Sequence, residues 1–503
     1  MRRSSSSTTG AIEALSRSPV TPRVSSIAPP LSSTPSEASK RLLPWLVAVA
    51  FFMESLDTTI LNTAVPAISS ALQVSPLSMK AVLASYTLSL AVFIPISGWM
   101  ADRFGTRRVF ASAIGLFTLG SFLSGISGSI HLLIAFRVLQ GCGGAMMVPV
   151  GRLTLVRTFA KSDLLRTMSF VSIPALVAPM LGPIAGGLIV GYLHWRVIFF
   201  LNIPIGLAGL VLVYMHLPDH RGKTDPPLDV VGLILFGSGI ALLSYVLEIF
   251  GEHQLSALEM SGLTVVSALL LAGYALHART LSFPLLDLKL FGIRTFRAAV
   301  SGSFFTRLGI GGVPFLLPLL YQVGLGFTPI ESGLLIMPQA VAAMCMKAIM
   351  PGLLRRFGYR GVLVSNTLIL GGLLMAFATI GVATPYWLIL LQAFLYGGFT
   401  SLQYTSMNTL VYADITEEDT SNASSIASTM QQMSISFGVA AAGLATAVFV
   451  PGANSAAPEM TRGIHKALIG LGILTIGSTI VFKSLKAGDG DDVSQHAVLH
   501  PGG

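Results

Sequence analysis

Two carboxylates three residues apart, Glu54 and Asp57, lie in an apolar run, Trp45–Asn62, long enough to sit in hydrocarbon. An ionisable group at bilayer depth costs roughly 2.5–3.5 kcal/mol on insertion scales, so it usually faces an interior cavity and has a task. The i, i+3 spacing puts both acids on one face of a helix. Burial favours the neutral form of a carboxylate, which brings proton uptake and release into the physiological range. The chemistry on offer is proton carriage. Asp57 is the first candidate for the carrier, against a structural reading in which it bonds nearby hydroxyls such as Thr58. Glu54 is open to two readings, a second titrating group or an acid that merely lines a cavity. Close together, the two would titrate as a coupled pair.

An arginine inside the membrane needs a partner. Arg137 lies six residues below His131, about 9 Å into the bilayer at ~1.5 Å per residue. Asp57 lies sixteen residues above Arg41, about 24 Å up a core of about 30 Å, and Glu54 about 20 Å. These depths bring Arg137, Glu54 and Asp57 to the same outer half. Arg307, ten residues from Arg297, comes out about 15 Å in, near the midplane. It is a candidate substrate-cavity residue, with Gln403, Tyr404 and Gln431. Lys347, about 12 Å from the end of its span, is expected to snorkel to the surface. Gln339, Gln392, Asn408 and Gln432 offer neutral polar contacts, though such amides also serve as interhelical bonds. Met and Phe are mainly packing or lipid-facing, with a subset available for an adaptable pocket.

Composition names the elements that must hold these groups. The 503 residues are 53% hydrophobic and only 11% charged, against about 25% charged in soluble domains. Apolar stretches of about 20 residues, each able to cross a bilayer, recur along nearly the whole chain. The net charge of +9 does not point to nucleic acid, because Lys and Arg sit in short loops between apolar segments. Cys142 and Cys345 fall inside spans, which argues against a disulfide framework. Residues 1–41 are rich in Ser, Thr, Pro and Arg and read as a disordered tail, with an organelle transit peptide as the sharper alternative. No apolar h-region precedes a cleavage site, which argues against a secretory signal. Residues 486–503 read as a second disordered tail.

Fourteen spans are expected, near 43–67, 80–101, 109–128, 131–152, 166–191 and 197–217, then 229–250 and 260–278. The remainder lie near 298–321, 331–354, 362–382, 386–411, 421–450 and 464–484. Of the 31 Lys and Arg, the loops opposite the termini hold only Lys80, Arg196, Arg462 and Lys466. The positive-inside rule then puts both termini in the cytoplasm. The acidic loop Asp414–Asp419 dissents, but acids contribute little to that rule. Gly98–Arg107 and Pro351–Arg360 both contain Arg-Phe-Gly-x-Arg. This repeat implies two six-helix halves, 42–217 and 297–485, with a two-helix insertion and its loops at 218–296. Parallel halves of six helices are a secondary-transporter arrangement.

Five motifs then occur in order. Leu56–Pro66 resembles the first-helix motif of the 14-helix drug:proton antiporters of the major facilitator superfamily, the EmrB/QacA type. Gly98–Arg108 resembles the superfamily's loop signature, and Arg137–Gly141 its fourth-helix motif. Leu181–Gly187 is similar to the fifth-helix motif of antiporters, and Trp195–Gly206 to a signature of the 14-helix branch. Gly143–Arg152 further resembles the MdtD-type group, which is read as multidrug exporters. The resemblance covers residues 42–485 and is silent on substrate. It implies a coupling role for Arg137 and a conformational role, blocking leakage, for Gly182, Pro183, Gly186 and Gly187. Tight helix packing is the plainer reading of those four. A conformational gate would comprise Gly98, Asp102, Arg103, Gly105 and Arg107, with Arg356, Gly358 and Arg360 in the second half. Arg355 replaces Asp102 there, so the gate would be electrostatically asymmetric.

The chain thus reads as an all-α polytopic membrane protein, a proton-driven exporter of amphiphilic small molecules or drugs working by alternating access. An exporter or flippase of an anionic metabolite or lipid is the alternative. A non-transporting sensor or assembly partner belongs to another class. No Gly-x-x-x-x-Gly-Lys-Ser/Thr loop or His-Glu-x-x-His site is present, so neither ATP hydrolysis nor metal chemistry is expected. No enzyme activity and no cofactor is anticipated; the proton gradient would supply the energy. The expected partners are substrate, protons and the lipid bilayer, with accessory efflux proteins a further candidate and nucleic acid excluded.

Overall fold

The computed structural model describes residues 37–159, 161–221, 227–249, 256–416, 419–449, 457–486 and 488–491. Among these residues there is no strand. Eleven helices among the described residues are long and apolar enough to cross a membrane. This is a multi-pass, all-α membrane protein. The backbone of a spanning segment must satisfy its own hydrogen bonds in hydrocarbon, which leaves the helix as the available form.

The first half runs through α1 (Glu37–Ala71), α2 (Met79–Phe104), α3 (Thr106–Ile126), α4 (Ile130–Thr158) and α5 (Lys161–Tyr192). The short α6 (Val197–Phe200) and α7 (Asn202–His216) complete it. α8 (Val230–Ile249) and α9 (Ala257–Thr280) follow. The second half comprises α10 (Arg294–Ile310), α11 (Val313–Leu319), α12 (Pro329–Phe377), α13 (Tyr386–Leu410), α14 (Thr420–Phe449), α15 (Ala457–Gly477) and α16 (Thr479–Lys483). Most of the sequence-derived tail 1–41 lies outside the described residues, and α1 begins at Glu37.

Local chemistry sets several ends. At α12, Thr328 and Glu331 form a reciprocal capping box around Pro329, satisfying donors that the first turn leaves free. Ser129 caps α4 by accepting from the Leu132 N–H. The repeated Arg-Phe-Gly turn has the same cause in both halves. Gly105 has φ 94° and Gly358 φ 63°, a region a side chain rarely enters. Each glycine breaks its helix path, so the 49-residue α12 is two rods joined at Gly358. The expected span 298–321 is also interrupted: α10 stops at Ile310 and α11 starts at Val313. Pro314 and Pro318 carry no N–H, so this stretch cannot form a continuous ladder.

The two halves meet at the end of the bundle away from the chain termini. Gln322 donates to the Thr63 carbonyl at 2.9 Å, and Ser436 to that of Ala84 at 3.1 Å. α8 packs against both α2 and α14, one helix from each half, while α9 packs on α8. The inserted pair therefore sits beside the seam. Its entry is held by Asp229, which accepts from Gly232 N–H at 2.7 Å and Leu285 N–H at 3.1 Å and meets His277 Nε2 at 2.8 Å. Leu258, Leu269 and Leu276 on α9 are exposed, as a lipid-facing surface requires.

The expected C-terminal tail starts with a docked turn instead. Asp489 takes a two-point ion pair from Arg294, through Nε at 2.9 Å and through Nη2. Sequence reading missed this because Asp489 lies in a polar run with no periodicity to place it.

Candidate functional site

Asp57 is 1% exposed, inside the first half. Its Oδ2 meets Arg137 Nη1 at 2.6 Å. Its Oδ1 accepts from Gln140 Nε2 at 2.9 Å and from Asn202 Nδ2 at 3.2 Å. Arg137 Nη1 also donates to Gln140 Oε1 at 2.7 Å, so three side chains close a ring of polar contacts. Asn202 is braced in turn by Ser121 Oγ at 3.1 Å, which donates to the Phe199 carbonyl at 2.8 Å. The Arg137 guanidinium lies over the Tyr86 ring, 4.2 Å from its centroid. A buried ion pair is tolerable only when such extra bonds offset desolvation of several kcal/mol per ion. α1 supplies the acid, α4 the Arg and Gln, α7 the Asn.

The depth argument brings Asp57 and Arg137 together as found. Gln140 and Asn202 were within recognised motifs but had no assigned role. Gln140 was findable, since i, i+3 from Arg137 shares its helix face. Glu54 is half-buried one turn before Asp57, and its nearest charges are Arg152 of α4 and Asp57. The Tyr86 hydroxyl is buried without a hydrogen-bond partner among the described residues.

At the terminal side of the first half, Asp102 pairs with Arg157 of α4 at 2.5 Å. Arg103 is exposed and Gly98 faces open space. The Gly105 turn is clamped by the segment after α7. Thr106 N–H donates to the His220 carbonyl at 2.9 Å, His220 N–H to Thr106 Oγ1 at 3.0 Å, and Arg107 N–H to Asp219 at 3.2 Å. Burial and then Arg157 push the His220 imidazole below the ordinary histidine range. In the second half Arg356 lies 5.4 Å from the Phe357 ring. Gly358 and Arg360 line a small cavity of about 130 Å³ together with Lys486, Asp489 and Asp491. The asymmetry is therefore not simply Arg355 for Asp102: the C-terminal turn supplies acids at this end.

On α5, Pro174, Pro179 and Pro183 each remove an intrahelical donor. Gly182 and Gly186 press against α1: an added Cβ would collide with Thr59 at the first and with Thr63 and the Ile60 carbonyl at the second. Gly187 and Gly191 face the start of α12 instead. This one motif joins α5 both to the helix of Asp57 and to the opposite half.

Between the halves lies a cavity of about 390 Å³. Thr59, Asn62 and Thr63 line it from α1, Pro179 and Pro183 from α5, and Lys347, Tyr404 and Asn408 from the second half. Four expectations need correction. Gln403 is fully buried away from the cavity, bonded to Asn366 at 2.7 Å and Thr367 at 2.9 Å. Gln431 does not line the cavity; its backbone carbonyl accepts from Ser434. Arg307 is 2% exposed and sits behind the wall, 3.6 Å from the Tyr404 ring centroid and bonded to Ser303 Oγ at 2.9 Å. Lys347, expected to snorkel, lines the cavity. A count of residues gives depth but not the direction in which a side chain leaves its helix.

Residues 47–439 match the family model described as Major Facilitator Superfamily. The chain belongs to that superfamily. A relative from Serratia proteamaculans (strain 568), named as a multidrug resistance protein, MdtD, is 41% identical over 425 residues, covering 84% of this chain and 88% of its own. Its namesake from Escherichia coli O7:K1 (strain IAI39 / ExPEC) is 43% identical over 411 residues, covering 82% and 87%. Among solved structures, a bacterial homolog of the human lysosomal transporter Spinster aligns with TM-score 0.64 at 14% identity, covering 89% of this chain and 97% of that one. A D-xylose-proton symporter aligns with TM-score 0.62 at 14% identity, covering 90% and 99%. These two show the fold alone. As a facilitator of this type the chain is a membrane transporter. Among its described residues no group of His, Cys, Asp or Glu could hold a metal.

Proposed function

We propose that this facilitator is a proton-coupled exporter of amphiphilic small molecules, working by alternating access in a bacterial inner membrane with both termini cytoplasmic. The observation that carries the reading is the buried Asp57–Arg137 pair on the helix whose other residues line the central cavity. Asp57 is the proton carrier. When it takes a proton, the charge that holds Arg137 is gone, and the contacts of α1 with α4 and α7 loosen. Thr59, Asn62 and Thr63 lie within six residues on the same helix, so a shift of α1 reaches the cavity wall. The names of the MdtD relatives support the drug-export direction. Lys161–Tyr192, Tyr386–Leu410 and the two rods of α12 raise the eleven spans to fourteen, in halves 42–217 and 297–485.

Purified chain in sealed liposomes tests this directly. Substrate added against an imposed pH gradient should produce proton flux, and flux absent for every amphiphile tried would defeat the proposal. Two variants probe its parts. Glu54→Gln should move the pH midpoint of transport toward acid by removing a like charge from beside Asp57; superimposable pH profiles would take Glu54 out of the pair. Asp102→Asn should lower turnover about 10-fold, because the gate loses its charge-assisted bond to Arg157, while substrate affinity stays put. A change confined to affinity would remove Asp102 from the gate.

A further inference from the structure

The geometry points to an organic anion with an apolar body as the cargo of the central cavity, its head held by Lys347, Asn408 and Gln339. This rests on the export reading for its purpose but not for its test.

No carboxylate lines the cavity among the described residues, and Lys347 is its one charged lining group. The acids of the first half do not reach it. Asp57 is 1% exposed and has its three bonds elsewhere. A cation entering this space would find no opposite charge and would face Lys347.

The neutral polar groups point the same way. Arg307 Nη2 donates to Asn408 Oδ1 at 3.4 Å. A guanidinium is donor-only, so it fixes which end of the amide it meets. The Asn408 carbonyl is turned toward Arg307, and the Nδ2 donors have no partner among the described residues. Gln339 Nε2 is buried and also has no partner among the described residues. Beside Lys347 the cavity thus offers unspent N–H groups, the complement of a carboxylate, sulfonate or phosphate. Arg307 is a positioning residue: it clamps the Tyr404 ring and orients Asn408 from behind.

The rest of the wall suits an apolar body. Pro183, Leu317, Ile336, Met344 and Tyr396 face the same space. At about 390 Å³ the cavity is near the lower end of the range of about 300–1,000 Å³ seen for drug-sized ligands. A space of that size suits a single compact amphiphile.

The test compares two probes with the same body, 1-pyrenebutyrate and (1-pyrenebutyl)trimethylammonium, by fluorescence binding to the full chain in neutral detergent. Wild type should bind the anion at least about 10-fold more tightly, near 1.4 kcal/mol. Lys347→Gln should remove that preference, and Lys347→Arg should restore it. Asn408→Asp should also abolish anion binding, although an acid there pairs with Arg307 and leaves the packing intact. The uncharged Asn408→Ala removes the amide donors without adding a repelling charge and should weaken the anion several-fold while leaving the cation unchanged; unchanged anion affinity in Asn408→Ala would overturn its place at the head. Equal or tighter binding of the cation, no binding of either probe, or an unchanged preference in Lys347→Gln would each overturn the assignment. Binding requires no proton coupling. Anion binding without substrate-driven proton flux would defeat the export reading and leave this one standing; cation-driven flux would do the reverse.

Discussion

Asp57→Asn should reduce export driven by a pH gradient to the level of empty liposomes. The amide has the size of the acid but cannot titrate, and it presents one acceptor where Asp57 presents two. Asp57 Oδ2 serves Arg137 while Oδ1 serves Gln140 and Asn202. An amide at 57 can satisfy one of these sets only, and it leaves Arg137 as an uncompensated buried charge. Breaking a buried pair from one side costs about 3–5 kcal/mol, so the variant should also unfold at lower temperature. Lost activity could then reflect lost structure. The double variant Asp57→Asn/Arg137→Gln separates the two, because it removes both charges and keeps hydrogen-bonding groups of similar reach. Stability should recover in the double variant while coupled transport does not. Efflux in proteoliposomes and thermal unfolding in detergent read the two effects independently. Gradient-driven export by either variant at the wild-type rate would remove Asp57 as the proton carrier.

The Asp57–Arg137 pair was legible because charge in hydrocarbon is rare and costly, and because helix rise converts position into depth. Two opposite charges at one depth, on apolar spans of the same half, leave few alternatives. The Arg-Phe-Gly repeat was legible for a similar reason: a local backbone requirement leaves its mark on the same residue type twice. Amides carry no such mark. Gln403 and Gln140 look alike in sequence, yet one ties α12 to α13 and the other completes the proton site. Which of these an amide does depends on the rotation of its helix about its own axis. In α12 and α13 periodicity cannot supply that rotation, because both faces are apolar. Lys347 and Arg307 exchanged expected roles for the same cause. Arg307 is deep enough to meet a substrate but points behind Tyr404, and Lys347 is shallow enough to snorkel but points into the cavity.

Gly187→Leu combined with Gly333→Leu should force the halves apart at the end away from the termini and trap the transporter open there. A Cβ on Gly187 would stand 2.6 Å from the Pro329 carbonyl oxygen, and one on Gly333 would meet the Pro183 carbonyl oxygen more closely still. Both obstacles are backbone, so no rotamer change relieves them, and α5 and α12 must separate. The two substitutions face each other across the seam, from Pro183–Gly187 on one side and Pro329–Gly333 on the other. Relief at one contact therefore does not relieve the other. With alternating access, a bundle that cannot close on this side completes no cycle, and turnover should fall by at least about 100-fold, equivalent to ~2.7 kcal/mol. Gly372→Ala, also on α12, is the matching control: its Cβ meets nothing within 4 Å, so activity should hold. Opening is measurable with Thr63→Cys, on a background lacking Cys142 and Cys345, in sealed vesicles of known sidedness. A membrane-impermeant maleimide added on the side away from the termini should label position 63 rapidly in the Leu pair and slowly in its absence. Equal labelling rates would mean that α5 and α12 do not form the closure on this side, and the glycines of the fifth-helix motif would then be packing residues alone.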